Sequence, residues 1–228
     1  MFLRKEVKIM SAVLDLTKPK ITKSEVLYGV SWETYEELVA EYWGFQFPRL
    51  TYDSGILEIN LSNSLKHEED SRNLAALFEQ IAVELEIDFR RSGSTTYKRK
   101  NIRKGFEPDS CFYIQSLNLI EGKEDLDFEK DPPPDLIIEI NKTSSSLPRM
   151  PIFAAFGVKE IWRFNKNRIK FYSLQEGVYL EAKMSLALPV LSSEQATEFL
   201  LEARETNSTA WVKKVGVWVA SAKIELVK

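Results

Sequence analysis

Pro132-Pro133-Pro134-Asp135-Leu136-Ile137-Ile138-Glu139-Ile140-Asn141 is the stretch on which the fold turns. Three prolines stiffen the entry and cannot donate to a ladder, so strand pairing is barred before Asp135. From Asp135 to Ile140, three isoleucines and one leucine describe a buried strand. Side chains alternate, so Asp135, Ile137, Glu139 and Asn141 share one face and Leu136, Ile138 and Ile140 the other. Asp and Glu are poor strand formers. An acid inside an apolar strand is costly unless it is paired or coordinates a metal. Glu139 therefore either meets an arginine, sits at an exposed strand end, or ligates a hard cation such as Mg²⁺, which carboxylates bind together with substrate phosphates. A second Pro-Asp pair, in Glu107-Pro108-Asp109, opens another short strand, running to Gln115 with Phe112 and Ile114 on one face.

The chemistry available to the chain is narrowed by what it lacks. His67 is the only histidine and Cys111 the only cysteine, which excludes multi-histidine or cysteine zinc centres and an intrachain disulfide framework. There is no Gly-x-Ser-x-Gly elbow and no Gly-rich phosphate loop. What remains is oxygen-ligand chemistry: carboxylates, Mg²⁺ or Mn²⁺, and Lys or Arg. The net charge of −3 gives no global attraction to nucleic acid, so such a partner must be held locally or through a metal. Arg4, Lys5, Glu6 and Lys8 interrupt the N-terminus, no run is apolar enough to span a membrane, and a cytoplasmic location is expected.

The remaining elements follow from period and punctuation. Residues 1–28 show no sustained period and read as a flexible leader. Ser31 caps a helix from Trp32 to about Trp43, and Pro48 to Leu61 is a hairpin turning at Asp53-Ser54-Gly55. Leu74, Leu77, Phe78, Ile81 and Leu85 recur at helical spacing between about Lys66 and Glu86. Extended structure around Gly93 leads into a basic loop, and a long acidic connector precedes the prolines. A short helix from about Pro148 ends at Gly157, and three meander strands follow between Glu160 and Lys183. Ser192 and Gln195 form a capping box for a helix to about Glu205. The expected organisation is one α/β domain over 29–206. A final helix over 207–228 would pack Trp211 and Trp218 on the domain or on the partner of a homodimer.

The succession of strand, helix, strand, Asp-bearing strand, acid-bearing strand, helix and strand matches a nuclease core. The chain resembles the Uma-two-like restriction endonucleases of the PD-(D/E)XK nuclease superfamily. The matching pieces are Thr51-Tyr52-Asp53-Ser54-Gly55-Ile56-Leu57-Glu58-Ile59 with His67-Glu68, and Gly93-Ser94-Thr95-Thr96-Tyr97-Lys98-Arg99. They continue with Gly105-Phe106-Glu107-Pro108-Asp109, Pro134-Asp135-Leu136-Ile137-Ile138-Glu139-Ile140 with Thr143-Ser144-Ser145-Ser146, and Gly157-Val158-Lys159-Glu160-Ile161-Trp162-Arg163. The resemblance implies a restriction-endonuclease-like core, a mixed β-sheet flanked by helices, and Mg²⁺- or Mn²⁺-dependent cleavage of DNA. It implies Asp109 and Glu139 as metal ligands, with Glu58 at a position where the family usually carries an acid.

One position departs from the pattern. The superfamily lysine normally stands two residues after the acid, and here that residue is Asn141. Arg149 matches the place of a migrated cation; Lys142 is adjacent in sequence, but strand alternation points it away. Arg can clamp a phosphate but cannot serve as a base. The alternative reading is a nuclease-fold protein without activity, serving as a nucleic-acid-binding or protein-interaction module; a carboxylate-pair glycosidase is a third possibility. Lys98, Arg99, Lys100, Arg103 and Lys104 are either a track for a phosphate backbone or a solvated basic loop. His67, at a helix start, reads as a cap or packing residue rather than a catalyst, and Asp135 as an anchor of the strand entry.

Overall fold

The computed structural model describes residues 24–61, 63–140 and 147–226, with side chains to residue 223. The elements are β1 (Ser24–Tyr28), α1 (Trp32–Glu41), β2 (Arg49–Asp53), β3 (Ile56–Asn60), α2 (Leu65–Glu84) and β4 (Arg90–Arg91). They continue with β5 (Tyr97–Arg99), β6 (Lys104–Phe106), β7 (Ser110–Tyr113), β8 (Leu136–Ile140), α3 (Met150–Phe156) and β9 (Glu160–Asn165). The last are β10 (Arg168–Gln175), β11 (Val178–Ala182), α4 (Ser193–Ala203) and α5 (Ser208–Leu226). Three helix starts lie where serine hydroxyls are. Ser31, Ser64 and Ser192 accept from the backbone N–H groups of Thr34, His67 and Gln195, satisfying donors the helices cannot use themselves. Gly157, with φ of 84°, closes α3 in the left-handed region.

The strands form two sheets. One is wholly antiparallel, in the order β1-β3-β2-β6-β5. The other, β11-β10-β9-β8-β7-β4, is mixed: β8 and β9 run parallel, joined across α3, and every other pair is antiparallel. The expected mixed sheet flanked by helices is this second one.

β8 lies between two cores, and all five of its residues are buried. Leu136, Ile138 and Ile140 join Leu74, Phe78 and Ile81 of α2, Trp162, Phe171 and Phe199 in the larger cluster. Ile137, on the opposite face, packs with Cys111, Ile152, Phe153, Phe156 and Phe106. The alternation expected from the sequence is thus realised, and it commits Glu139 to the Ile137 face.

Three expectations are revised. Ser24–Tyr28, expected within the leader, pairs in register with Ile56–Asn60 as an edge strand; residues 1–23 lie outside the described residues. Part of the basic loop is β6, held between β2 and β5. In α5 the buried line is Trp211, Val215 and Val219, with Trp218 only partly covered, edge-on to Phe199. Trp211 donates its indole N–H to Phe199 O at 2.8 Å, so the helix packs within its own chain. No helix among the described residues is long and apolar enough to cross a membrane.

Candidate functional site

β7 and β8 pair with Ser110 opposite Ile138, which sets Asp109 beside the Glu139 end of β8. The backbone N–H of Ile140 donates to Asp109 Oδ2 at 2.9 Å and locks that carboxylate to the strand. Arg49, first residue of β2 in the other sheet, donates from Nη1 to Asp109 Oδ1 at 2.7 Å. His67, in the first turn of α2, brings Nε2 to 3.2 Å from Asp109 Oδ2, near enough for attraction but off the line of a hydrogen bond. Arg149, just before α3, donates from Nη1 to Glu139 Oε2 at 3.1 Å, and its Nη2 lies 3.6 Å from Glu58 Oε2 on β3. Three carboxylates, two guanidiniums and an imidazole thus meet at the junction of the two sheets.

Their electrostatics separate the two central acids. Burial works to raise Asp109, but His67, Arg49 and the Ile140 N–H outweigh it and hold its carboxyl below the ordinary value. Burial also acts on Glu139, and there it wins: against the attraction of Arg149, and with Asp109 adding repulsion, the carboxyl is pushed up to about 7. Glu107, two residues before Asp109, is likewise raised by burial to about 7 although Thr96 and the Leu50 N–H bond to it.

Polar satisfaction fails here more than elsewhere. Eight buried side-chain polar atoms among the described residues have no hydrogen-bond partner, and five of them belong to Arg49, His67, Glu139 and Arg149. Native interiors keep few such atoms, and each calls for a water, an ion or a functional reason. Glu139 Oε1 is one of them. Among the described residues no group of three or more His, Cys, Asp or Glu is placed to hold a metal. An orphaned carboxylate oxygen next to a second carboxylate nevertheless fits Mg²⁺, which keeps several waters and takes one or two carboxylates plus substrate phosphates.

Of the residues singled out in the sequence, Asp109, Glu139, Glu58 and Arg149 come together. Lys142 and Asn141 lie outside the described residues. The basic segment is largely paired within the chain. Lys98 bonds to Glu36, Lys104 to Asp53, and Lys100 stands 3.8 Å from Glu33. Arg99 donates to the carbonyls of Phe128, Phe156 and Asp131, fastening the acidic connector, and exposed Arg103 reaches Tyr52 Oη at 3.5 Å. Asp135 anchors the strand entry: it accepts from Ile114 N, Ser116 N, Ser116 Oγ and Lys159 Nζ. Arg49 and Glu107 join the site without a sequence expectation, and so does His67, which the sequence reads as a cap or packing residue. The adjacency of Glu107 to Pro108-Asp109 is a signal for one of them; for Arg49 the sequence carries none.

The family described as Uma2, putative restriction endonuclease, matches residues 32–204. Among solved structures, a crystal structure of "a putative nuclease belonging to DUF820 from Anabaena variabilis" superposes with a TM-score of 0.54 at 14% identity. The match covers 75% of this chain and 99% of that one, and at that identity it speaks for the fold alone. No curated protein matches the chain.

Proposed function

This chain belongs to the Uma2 putative restriction endonuclease family, and from that premise we propose that it is a metal-dependent endodeoxyribonuclease hydrolysing DNA phosphodiester bonds. The observation carrying the reading is the buried Asp109–Glu139 pair on neighbouring strands, with Arg149 delivered to Glu139 from the next helix. Asp109 and Glu139 would hold Mg²⁺ or Mn²⁺, with Glu58 beside them. Bound there, the ion supplies Lewis-acid polarisation of the scissile phosphate and a hydroxide near neutral pH.

The chain's own residues divide the other tasks. Arg49 and the Ile140 N–H fix the Asp109 carboxylate in one orientation. Arg149, always charged, neutralises Glu139 until a phosphate arrives and then clamps a non-bridging oxygen; it cannot take a proton from water. The junction of two sheets excludes bulk water, which strengthens each of these attractions.

A second reading rests on Asn141, which stands where the superfamily carries its lysine: a nuclease-fold module that binds without cutting. The deciding experiment incubates supercoiled plasmid with the protein and Mg²⁺, Mn²⁺ or EDTA, alongside Asn141→Lys. Nicking or linearisation that requires either metal supports the enzyme. If neither protein cuts with either metal, the enzyme reading falls and the module stands.

A further inference from the structure

A cavity of about 540 Å³ opens between the segment after α1 and the loop after β4, with Glu107 in its lining. Trp43 and Phe45 form its rim, and each is 70% exposed. Gly44, with φ of 83°, turns the chain between them. Aromatic side chains normally bury ~150–250 Å² each, so two of them left in water on one cavity mouth form a surface without a partner in the chain. Ser94 and Thr96 line the cavity, and so does Glu107, to which Thr96 Oγ1 donates at 3.1 Å. A carboxylate has about four lone-pair positions, so Glu107 keeps capacity to accept from a ligand.

These features select a ligand chemistry. Among the described residues, the lining carries one carboxyl and no lysine or arginine to hold a phosphate, while flat exposed rings favour a planar face. A ligand that offers both a π-face and N–H donors along one edge is a nucleobase, and Glu or Asp accepts from such an amino group. The volume lies within the range of small-molecule sites. Position agrees: Glu107 is two residues from Asp109, roughly 7 Å along an extended chain. A base held there would belong to a nucleotide next to the phosphate at the carboxylates.

We propose that this cavity receives one unpaired nucleobase of DNA, stacked on Trp43 or Phe45 and hydrogen-bonded by Glu107, beside the scissile phosphate. The proposal rests on the nuclease reading above, and makes the preferred substrate a strand with a locally unpaired base. Stacking supplies sequence-tolerant affinity, because every base has a π-face, and an already unpaired base is the least costly to extrude.

The test uses the full chain and two DNA duplexes with one 2-aminopurine, unpaired in a bulge in one and paired in the other. Affinity is read by anisotropy and base environment by 2-aminopurine fluorescence. Wild type is expected to bind the bulged duplex more tightly and to change its 2-aminopurine signal. Trp43→Ala, at an exposed position, should weaken bulge binding about five- to 150-fold and leave the paired duplex within about twofold. Phe45→Ala provides the second arm. Equal wild-type affinity for the two duplexes overturns the proposal, as do substitutions that weaken both duplexes alike or neither. A protein that cuts plasmid with Mn²⁺ but ignores the bulge loses only the pocket. One that shows Trp43-dependent bulge binding and never cuts keeps the pocket and loses the nuclease.

Discussion

Replacing Glu139 by Gln is expected to stabilise the metal-free protein and at the same time to abolish the proposed cleavage of DNA. Glu139 is 6% exposed. Burial, opposed by Arg149 and reinforced by Asp109, moves its carboxyl from an ordinary 4.5 up to about 7. At about 1.4 kcal/mol per unit, ionised Glu139 costs the fold about 3 kcal/mol above neutral pH. The sign follows from proton linkage. The folded state binds this proton more tightly than the unfolded chain, so stability falls as pH rises between the two values and is level beyond them. Gln has the shape of the protonated acid, keeps an oxygen for Arg149 Nη1 and cannot ionise. The variant should therefore be nearly as stable as wild type at about pH 5 and exceed it by about 3 kcal/mol at about pH 8. For a chain of this size that is roughly 6–12 °C in Tm. Urea unfolding in EDTA across this range, followed by tryptophan fluorescence, measures it, with Mn²⁺-dependent plasmid cleavage run in parallel. A variant less stable than wild type at high pH, or a difference that does not change with pH, refutes the reasoning. The first would mean that the attraction of Arg149 outweighs burial, the second that the two balance.

Arg149→Ala should lower metal-dependent cleavage at least about 100-fold, the usual cost of one charge-stabilising donor, while Mn²⁺ binding followed by calorimetry persists; unchanged cleavage would remove Arg149 from the site. Asp135→Asn should cost about 2–3 kcal/mol, because it disrupts a buried carboxylate accepting from two backbone N–H groups, Ser116 and half-exposed Lys159. Burial raises the Asp135 carboxyl, but these donors together hold it below its ordinary value. Its share of wild-type stability is thus complete above about pH 4 and is lost as pH falls through the lower folded value, visible as acid sensitivity that the variant lacks. Gly105→Ala would place a Cβ 2.0 Å from Tyr35 Oη, with ring carbons at 2.6 and 2.9 Å. Because Tyr35 is fully buried and cannot swing away, a loss of about 2–3 kcal/mol is expected in urea unfolding.

Much of this molecule is written locally. Hydroxyls at Ser31, Ser64 and Ser192 mark three helix starts, and Gly157 marks an end, because unsatisfied backbone groups within one turn must be met by nearby residues. Pro134-Asp135 and the alternation through Ile140 determined β8 and the face that carries Glu139, since a side-chain period of two is a property of the strand alone. What the sequence could not supply is which distant residues close the site. Arg49 reaches Asp109 across 60 residues, from a strand in a different sheet. His67 doubles as the first turn of a helix whose cap looks ordinary. β6 has only three residues and no period of its own; its state follows from being clasped between β2 and β5. The basic run from Lys98 to Lys104 reads as a surface for phosphate until the fold brings Glu36, Asp53 and three backbone carbonyls to it. Caps, turns and alternation act over a few residues and survive in the sequence as spacing. Ion pairs between elements depend on how two sheets pack, and only burial decides which charges must find each other.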